Sequence, residues 1–389
     1  MGLTTVRFSF ATAHHIIFGT GTLSDIAPVA KGMGRRVFVV TGSTPSRATL
    51  LLNALSMEGL ACFSFSTHAE PALDDIRQGV DHAHQEKCDL IIGFGGGSAI
   101  DTAKAIAAIL SNGGDPLDYL EIIGRGLPLS RPSTPWIAIP TTAGSGAEVT
   151  SNAVISSPDH RVKVSLRSPL MHAKVVLVDP ALTFTLPPSL TASTGLDALT
   201  QLIEPYVSIR ANPLTDALCR EGIPRAARSV KRAYEHGNDA QAREDMSLAA
   251  LLGGLALSNA KLGAVHGIAG PLGGMVPSSH GSICARLLAP VMEANIAALN
   301  ERLPESTALT RYEEIARIFT GNVKASAMEG VAWAQDLCET FRVPSLSSFG
   351  LKRDDFTLLI EKAQQSSSMQ GNPVTLTARE IENILRKAF

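Results

Sequence analysis

The chain has 389 residues and a formal net charge of −2, from 34 Lys plus Arg against 36 Asp plus Glu. At roughly 150 residues per domain, that length suggests two domains or three small ones. A content of 45% hydrophobic and 18% charged residues excludes a disordered or collagen-like chain, and near neutrality leaves no basic footprint for nucleic acid.

The five cysteines are scattered, odd in number and form no CxxC pair. Reduced thiols and a cytoplasmic location are therefore expected. The N-terminus MGLTTVRFSF lacks the basic-then-apolar pattern of a signal peptide. The longest strongly apolar run, residues 246–260, contains Gly253-Gly254 and is shorter than the ~20 residues a bilayer needs. A buried core helix is expected there, and no membrane partner.

Along the chain, short apolar runs at 36–41, 89–93 and 136–139 show no polar face, which is how parallel strands covered on both sides read. Helix-like stretches at 46–59, 73–86 and 99–110 alternate with them, so βαβ units and an open parallel sheet are predicted. An extra strand pair is predicted at 153–156 and 162–166, then a strand at 174–178 stopped by Asp179-Pro180. Beyond Leu186-Pro187-Pro188 the texture changes. Stretches 191–207, 246–259, 282–295, 312–319 and 328–341 all suit buried or amphipathic helices. The expected division is an α/β domain over 1–187 and an all-helical domain over 188–389.

The strongest local motif is Gly93-Phe-Gly95-Gly96-Gly97-Ser98-Ala-Ile-Asp101. It follows an apolar strand and opens a helix, so its backbone approaches a phosphate closely at a helix N-terminus. Ser98 suits the N-cap. The motif departs from the usual dinucleotide fingerprint, because it follows a later strand and Ser98 takes the third glycine position. An empty tight turn is the competing reading. A second loop rich in hydroxyls and small residues, Pro140-Thr141-Thr142-Ala143-Gly144-Ser145-Gly146-Ala147-Glu148, also follows a strand. In open parallel sheets ligands bind beyond the carboxyl ends of strands, so two such loops weaken that competing reading. A third strand end, Thr41-Gly42-Ser43-Thr44, is placed to meet the ribose next to an adenine.

In the helical half, His266 and His280 are each bracketed by small residues, and Asp197 interrupts an otherwise apolar helix pattern. A buried lone carboxylate is costly unless it is paired or metal-bound. Asp plus two His is a ligand set for a metal with an open position. No spacing rule links residue 197 to residue 266, and structural histidines remain the alternative.

Together the stretches GGGSAIDTAKA (95–105), IPTTAGSGAEVT (139–150), TASTGLDAL (191–199), HGIAGPLGG (266–274) and SHG (279–281) resemble the iron-containing (group III) alcohol dehydrogenase family. That family belongs to a superfamily with glycerol dehydrogenase and dehydroquinate synthase, and the resemblance covers essentially the whole chain. It implies an N-terminal dinucleotide-binding domain, an all-helical C-terminal domain and an active site between them. Gly95, Gly96, Gly97 and Ser98 would hold the pyrophosphate of NAD(P)(H), with Asp101 supporting the turn. Thr141, Thr142 and Ser145 would line the path to the nicotinamide, with Lys163 beside it. Asp197, His266 and His280 match three metal ligands.

Three departures go with the resemblance. Gln201 stands where the family has a fourth ligand, a His, so Fe²⁺ loses its advantage and Zn²⁺ becomes as plausible. Gly270 stands where a substrate-side His is usual, so proton delivery through cofactor hydroxyls and water is expected. Gly42, followed by Ser43, replaces the Asp common in NAD-preferring members, which should admit NADP(H). The expected activity is hydride transfer between an alcohol and an aldehyde or ketone, with His266, His280 and Lys163 as catalytic candidates. The small residues around both histidines suggest a substrate bulkier than ethanol. A metal-independent reductase of the maleylacetate type and a lyase or cyclase using NAD catalytically are the alternatives, and a homodimer or higher homo-oligomer is implied.

Overall fold

The computed structural model describes residues 6–67, 70–157 and 162–389. It divides into two compact units: Thr12–Leu186, and Pro187–Phe389 joined by the residues up to Ala11. The Ala11 N–H donates to Asn259 Oδ1 at 2.7 Å and Asn259 Nδ2 donates back to the Ala11 carbonyl at 3.0 Å. This pairing explains why the short leading segment goes with the helical unit and not with the α/β unit that follows it.

The α/β unit is built on strands β1 (His15–Phe18), β2 (Arg36–Thr41), β3 (Ala61–Ser66), β4 (Leu90–Gly95), β5 (Trp136–Pro140), β6 (Asn152–Ser157), β7 (Val162–Arg167) and β8 (Val175–Val178). Its helices are α1 (Ile26–Lys31), α2 (Thr49–Met57), α3 (Leu73–Gln85) and α4 (Gly97–Asn112). Six strands form one sheet in the order β1-β8-β5-β4-β2-β3, and every neighbouring pair is parallel. Strands β4 and β5 are buried along their whole length, as expected of runs without a polar face. β3 alternates exposed and half-buried positions at the sheet edge, and such a strand carries little apolar signal. Val37, Val39, Ile92, Phe94, Ile137 and Leu177 share one core with Leu51 and Leu55 of α2. The extra pair, β6 and β7, forms a separate antiparallel hairpin.

Chain direction reverses at the centre of the sheet. From β2 the chain crosses outward to β3, then returns past β2 to β4 and continues the other way to β5. The crevice at such a switch point, beyond the carboxyl ends of the strands, is where open α/β sheets bind ligands. Here it lies between Gly42 and Gly95.

The helical unit contains α5 (Pro188–Val207), α6 (Pro213–Glu235), α7 (Ala240–Ala260), α8 (Ala264–Gly273), α9 (His280–Arg302), α10 (Thr307–Thr320), α11 (Ala327–Thr340), α12 (Phe356–Gln365) and α13 (Ala378–Ala388). α5 starts with Pro188 at its first position, where the missing N–H has no partner to lose. It is buried from Thr191 to Val207 apart from Thr194, packed by α6, α7 and α9. Glycines let the backbones close in: a Cβ on Gly195 would stand 2.7 Å from Val230 Cγ2, and one on Gly281 only 2.6 Å from the Ser193 carbonyl oxygen. The apolar run at 246–260 forms all but the first six residues of α7, which spans 21 residues. α9 is long and apolar enough to cross a membrane, but its most apolar window is 72% buried inside the protein, so it is a core helix.

Candidate active site

The glycine turn connects β4 to α4 at the switch point. Gly96 is the N-cap residue and no side chain caps α4, so its first N–H groups are left to an anion. Ser98 lies one residue inside the helix and not at the cap. The glycines are dictated by close approach. A Cβ on Gly95 would lie 2.6 Å from Ala99 Cβ and 3.3 Å from the Gly42 nitrogen, and one on Gly96 would lie 3.3 Å from Thr142 Cγ2. At Gly97 it would meet Ser145 Oγ at 2.9 Å. The Thr141 N–H donates to the Gly95 carbonyl at 2.8 Å. Gly42, Gly95, Gly96, Gly97, Thr141, Thr142 and Ser145 therefore gather at one place, with Ser43 next in the chain after Gly42.

Two expected cofactor residues are differently engaged. Asp101 accepts from the Val154 N–H at 3.0 Å and from Lys104 Nζ at 3.2 Å, so it ties α4 to β6 instead of bracing the glycine turn. Lys163 is almost buried and ion-paired with Glu70.

Lys104 escaped the sequence reading. Its fully buried ammonium donates to the Ala147 carbonyl at 2.8 Å, Thr150 Oγ1 at 2.8 Å and the Asn152 carbonyl at 2.6 Å. It thereby pins the end of the 139–150 loop to α4. A buried charge is tolerated only with such partners, and a lone Lys in a helix pattern gives no hint of them.

Nearby, burial pushes the Glu148 carboxyl up to about 7 from the ordinary 4.5. The folded chain keeps that proton between pH 4.5 and 7 while the unfolded chain releases it, so stability falls as pH rises through this window. Glu148→Gln, which mimics the neutral acid, is expected to stabilise the protein by about 1–3 kcal/mol at pH 8 and not at all at pH 4. Denaturant unfolding at the two pH values checks this.

In the helical unit, three helices converge. Asp197 lies in the middle of α5, His266 in the first turn of α8, and His280 and Cys284 one turn apart at the start of α9. One donor atom from each lies within 4.8 Å of the others, and all but His280 are buried. Gly281 explains how α9 comes so close: its ideal Cβ would sit 3.5 Å from Asp197 Cβ.

Glu204, two helical turns beyond Asp197 on α5, governs the orientation of His266. Its Oε1 accepts from the Val265 N–H at 2.7 Å and its Oε2 meets His266 Nδ1 at 2.6 Å. A carboxylate at the start of α8 suits the helix dipole. The same contact holds the Nδ1 proton and turns Nε2 towards Asp197 Oδ1, 3.4 Å away. Burial disfavours a charged imidazole, but Cys284, Glu204 and Asp197 outweigh it and hold the His266 pKa well above its usual value. Asp197 is likewise held low, against its burial, by His266 and His280.

Gln201 donates Nε2–H to Asp197 Oδ2 at 3.0 Å. It orients the carboxylate through its amide nitrogen, and its own Oε1 is buried without a hydrogen-bond partner. Asp197 Oδ1 is fully buried without a hydrogen-bond partner. A buried carboxylate oxygen without a hydrogen bond, among two imidazoles and a thiol, fits a divalent cation in charge and donor type.

The family model for iron-containing alcohol dehydrogenases matches residues 13–180, and that for the C-terminal part of the Fe-containing alcohol dehydrogenase family matches residues 191–389. The chain belongs to the iron-containing alcohol dehydrogenase family. It is 35% identical to alcohol dehydrogenase 4 of Saccharomyces cerevisiae, over 96% of each chain. It is 32% identical to the NAD-dependent methanol dehydrogenase of Bacillus methanolicus, over 96% of this chain and 97% of that one. Among solved structures, a 1,3-propanediol oxidoreductase superposes with a TM-score of 0.90 at 31% identity, covering 99% of this chain and 100% of the other.

As an iron-containing alcohol dehydrogenase the chain is an oxidoreductase of the alcohol–aldehyde class, and the family's cofactors are NAD(H) and iron or another divalent metal. The parallel α/β unit and the helical unit expected from the sequence are the family's architecture. Two members of this site were absent from the sequence reading. Cys284 carried a signal, since it follows His280 by one helical turn. Glu204 stands one turn past Gln201 on the Asp197 face, a weaker clue.

Glu204→Gln keeps the shape and weakens the hold on His266. Loss of a carboxylate that orients an imidazole ligand typically costs about 10–100-fold in metal affinity or activity. That drop is expected here, with unchanged binding of dinucleotide, read from a metal titration and kcat/KM.

Proposed function

We propose that this chain is a cytoplasmic homo-oligomeric enzyme that interconverts an alcohol bulkier than ethanol with its aldehyde or ketone, using NADP(H) at least as well as NAD(H). A divalent cation would be held by Asp197, His266 and His280. Asp197 Oδ1 inside the three-helix cluster carries this reading: it is fully buried, makes no hydrogen bond and stands 3.4 Å from the His266 imidazole, a setting that favours a cation there. When bound, a divalent cation supplies Lewis acidity towards a carbonyl oxygen, and the nicotinamide supplies or accepts the hydride.

The chain's own groups do the rest. Asp197 contributes negative charge, fixed by Gln201. Glu204 keeps the His266 proton on Nδ1, so that Nε2 is the donor. His280, half-buried, marks the approach for the substrate oxygen. An ideal Cβ on Gly270, one turn after His266, meets nothing within 4 Å, which supports room for a larger substrate. The dinucleotide phosphates are bound by the uncapped start of α4 and not by a basic patch, in keeping with a net charge of −2.

Gly42 supports the cofactor preference. With no carboxylate at the end of β2, and open space where a side chain would stand, nothing there repels a 2′-phosphate. An aldehyde screen with NADH and NADPH is expected to give kcat/KM values for NADPH equal to or above those for NADH, and a strong preference for NADH overturns that choice. Metal analysis of the same preparation tests the cation: an empty protein with full turnover refutes its role.

A further inference from the structure

We propose that Cys284 is a fourth protein donor to the divalent cation, completing an Asp197–His266–His280–Cys284 set with a thiolate; this rests on the metal site proposed above. The thiol is completely buried in the second turn of α9, with Sγ 3.5 Å from His280 Nε2 and 3.8 Å from His266 Nε2. Asp197 Oδ1 lies 3.4 Å from the same His266 nitrogen. Bonds of about 2.0–2.1 Å to nitrogen or oxygen and 2.3 Å to sulfur give tetrahedral edges of roughly 3.3–3.6 Å. The 3.4 and 3.5 Å separations match those edges, and the 3.8 Å contact to His266 is only slightly longer.

The thiol faces both imidazole nitrogens, and donor atoms from three helices share one centre. Among the described residues, this is the one group of His, Cys, Asp and Glu with that geometry, and Cys62, Cys88, Cys219 and Cys338 lie outside it. Gln201 binds Asp197 Oδ2 through its amide nitrogen and could offer only a carbonyl oxygen, a poorer partner for Fe²⁺ or Zn²⁺ than a thiolate. The thiol proton leaves to solvent as the bond to the cation forms. A soft donor shifts the site from iron towards zinc. Zinc held by these four residues would still accept a substrate oxygen, and His280 is the least buried of the four.

The test loads the full chain with Co²⁺, whose thiolate ligands give a strong near-ultraviolet charge-transfer band that carboxylate and imidazole ligands do not. The wild-type protein with one bound Co²⁺ is expected to show the band. Cys284→Ser and Cys284→Ala are expected to lose it and to bind Zn²⁺ more weakly by about tenfold or more, while far-ultraviolet circular dichroism confirms their fold. Co²⁺ bound without the band in the wild type, or a band surviving in either variant, overturns the thiolate and leaves the cation site standing. Failure to bind Co²⁺ or Zn²⁺ at all overturns both. The wild-type spectrum decides the matter even if neither variant folds.

Discussion

Asp197→Asn is expected to lower kcat/KM for carbonyl reduction about 1,000-fold and to deplete bound metal, with little change in fold. The substitution is nearly isosteric, and Gln201 and the α5 backbone hold the residue in place. What disappears is the charge, at a position where the carboxylate is fully buried and one oxygen has no hydrogen-bond partner. In the proposed site that anion would balance the cation beside two imidazoles, and a neutral amide would not. Lewis-acid stabilisation of a developing alkoxide contributes several kcal/mol, and each 1.36 kcal/mol is a factor of ten in rate. Loss of three such factors is therefore expected, together with weaker retention of metal on dialysis. Full activity with a normal metal content would show that Asp197 has no part in the chemistry.

Gly97→Val is expected to raise the dinucleotide Kd about 100-fold or more while leaving metal binding in the helical unit unchanged. A Cβ at this position stands 2.9 Å from Ser145 Oγ and 3.2 Å from Ser145 Cβ. The side chain must push the β5 loop away and fills the space above the first N–H groups of α4, where a phosphate would sit. A hydrogen bond to a charged group contributes about 1.5–3 kcal/mol, so losing one or two gives that factor. Gly97→Ala with Ser145→Gly relieves the contact and should recover part of the affinity. Fluorescence titration with NADH and NADPH measures both variants. Unaltered affinity in Gly97→Val would remove the turn from the cofactor site.

The α/β half was legible because its central strands are buried on both faces. Val37–Val40, Leu90–Phe94 and Trp136–Ile139 have no polar position to break the run, so strand and partner layer are read together. β1 and β3 were not legible, being four residues long and half exposed respectively. The same holds for α6, whose apolar face is diluted by charged and polar residues on its other side. The 246–260 run was read as a shorter helix than the one formed, because Asp245 and Arg243 look like a polar end. In the fold Asp245 is fully buried between Arg225, Arg228 and Ser229, and Arg243 reaches Thr191, which keeps the helix going.

The glycine turn was readable for a local reason: adjacent glycines between a strand and a helix are costly unless backbone must approach backbone or ligand. The partners of Asp101, Val154 and Lys104, belong to a hairpin fifty residues on and to the next turn of its own helix. Nothing in the 95–105 stretch distinguishes a carboxylate facing the turn from one facing a strand.

By itself, then, the sequence determined the kinds of donor and their local frames: a carboxylate in an apolar helix, two histidines among small residues, and phosphate-friendly loops at strand ends. Periodicity and turn chemistry act over a few residues, and that is the range over which they inform. Only the tertiary structure decided which of these meet. Packing of α5, α8 and α9, allowed by the missing side chain of Gly281, brings residues 197, 266, 280 and 284 to one centre. It also sets Glu204 behind His266 and turns Gln201 onto Asp197. Coordination is a relation between side chains on different helices, and its geometry exists only once the helices are packed.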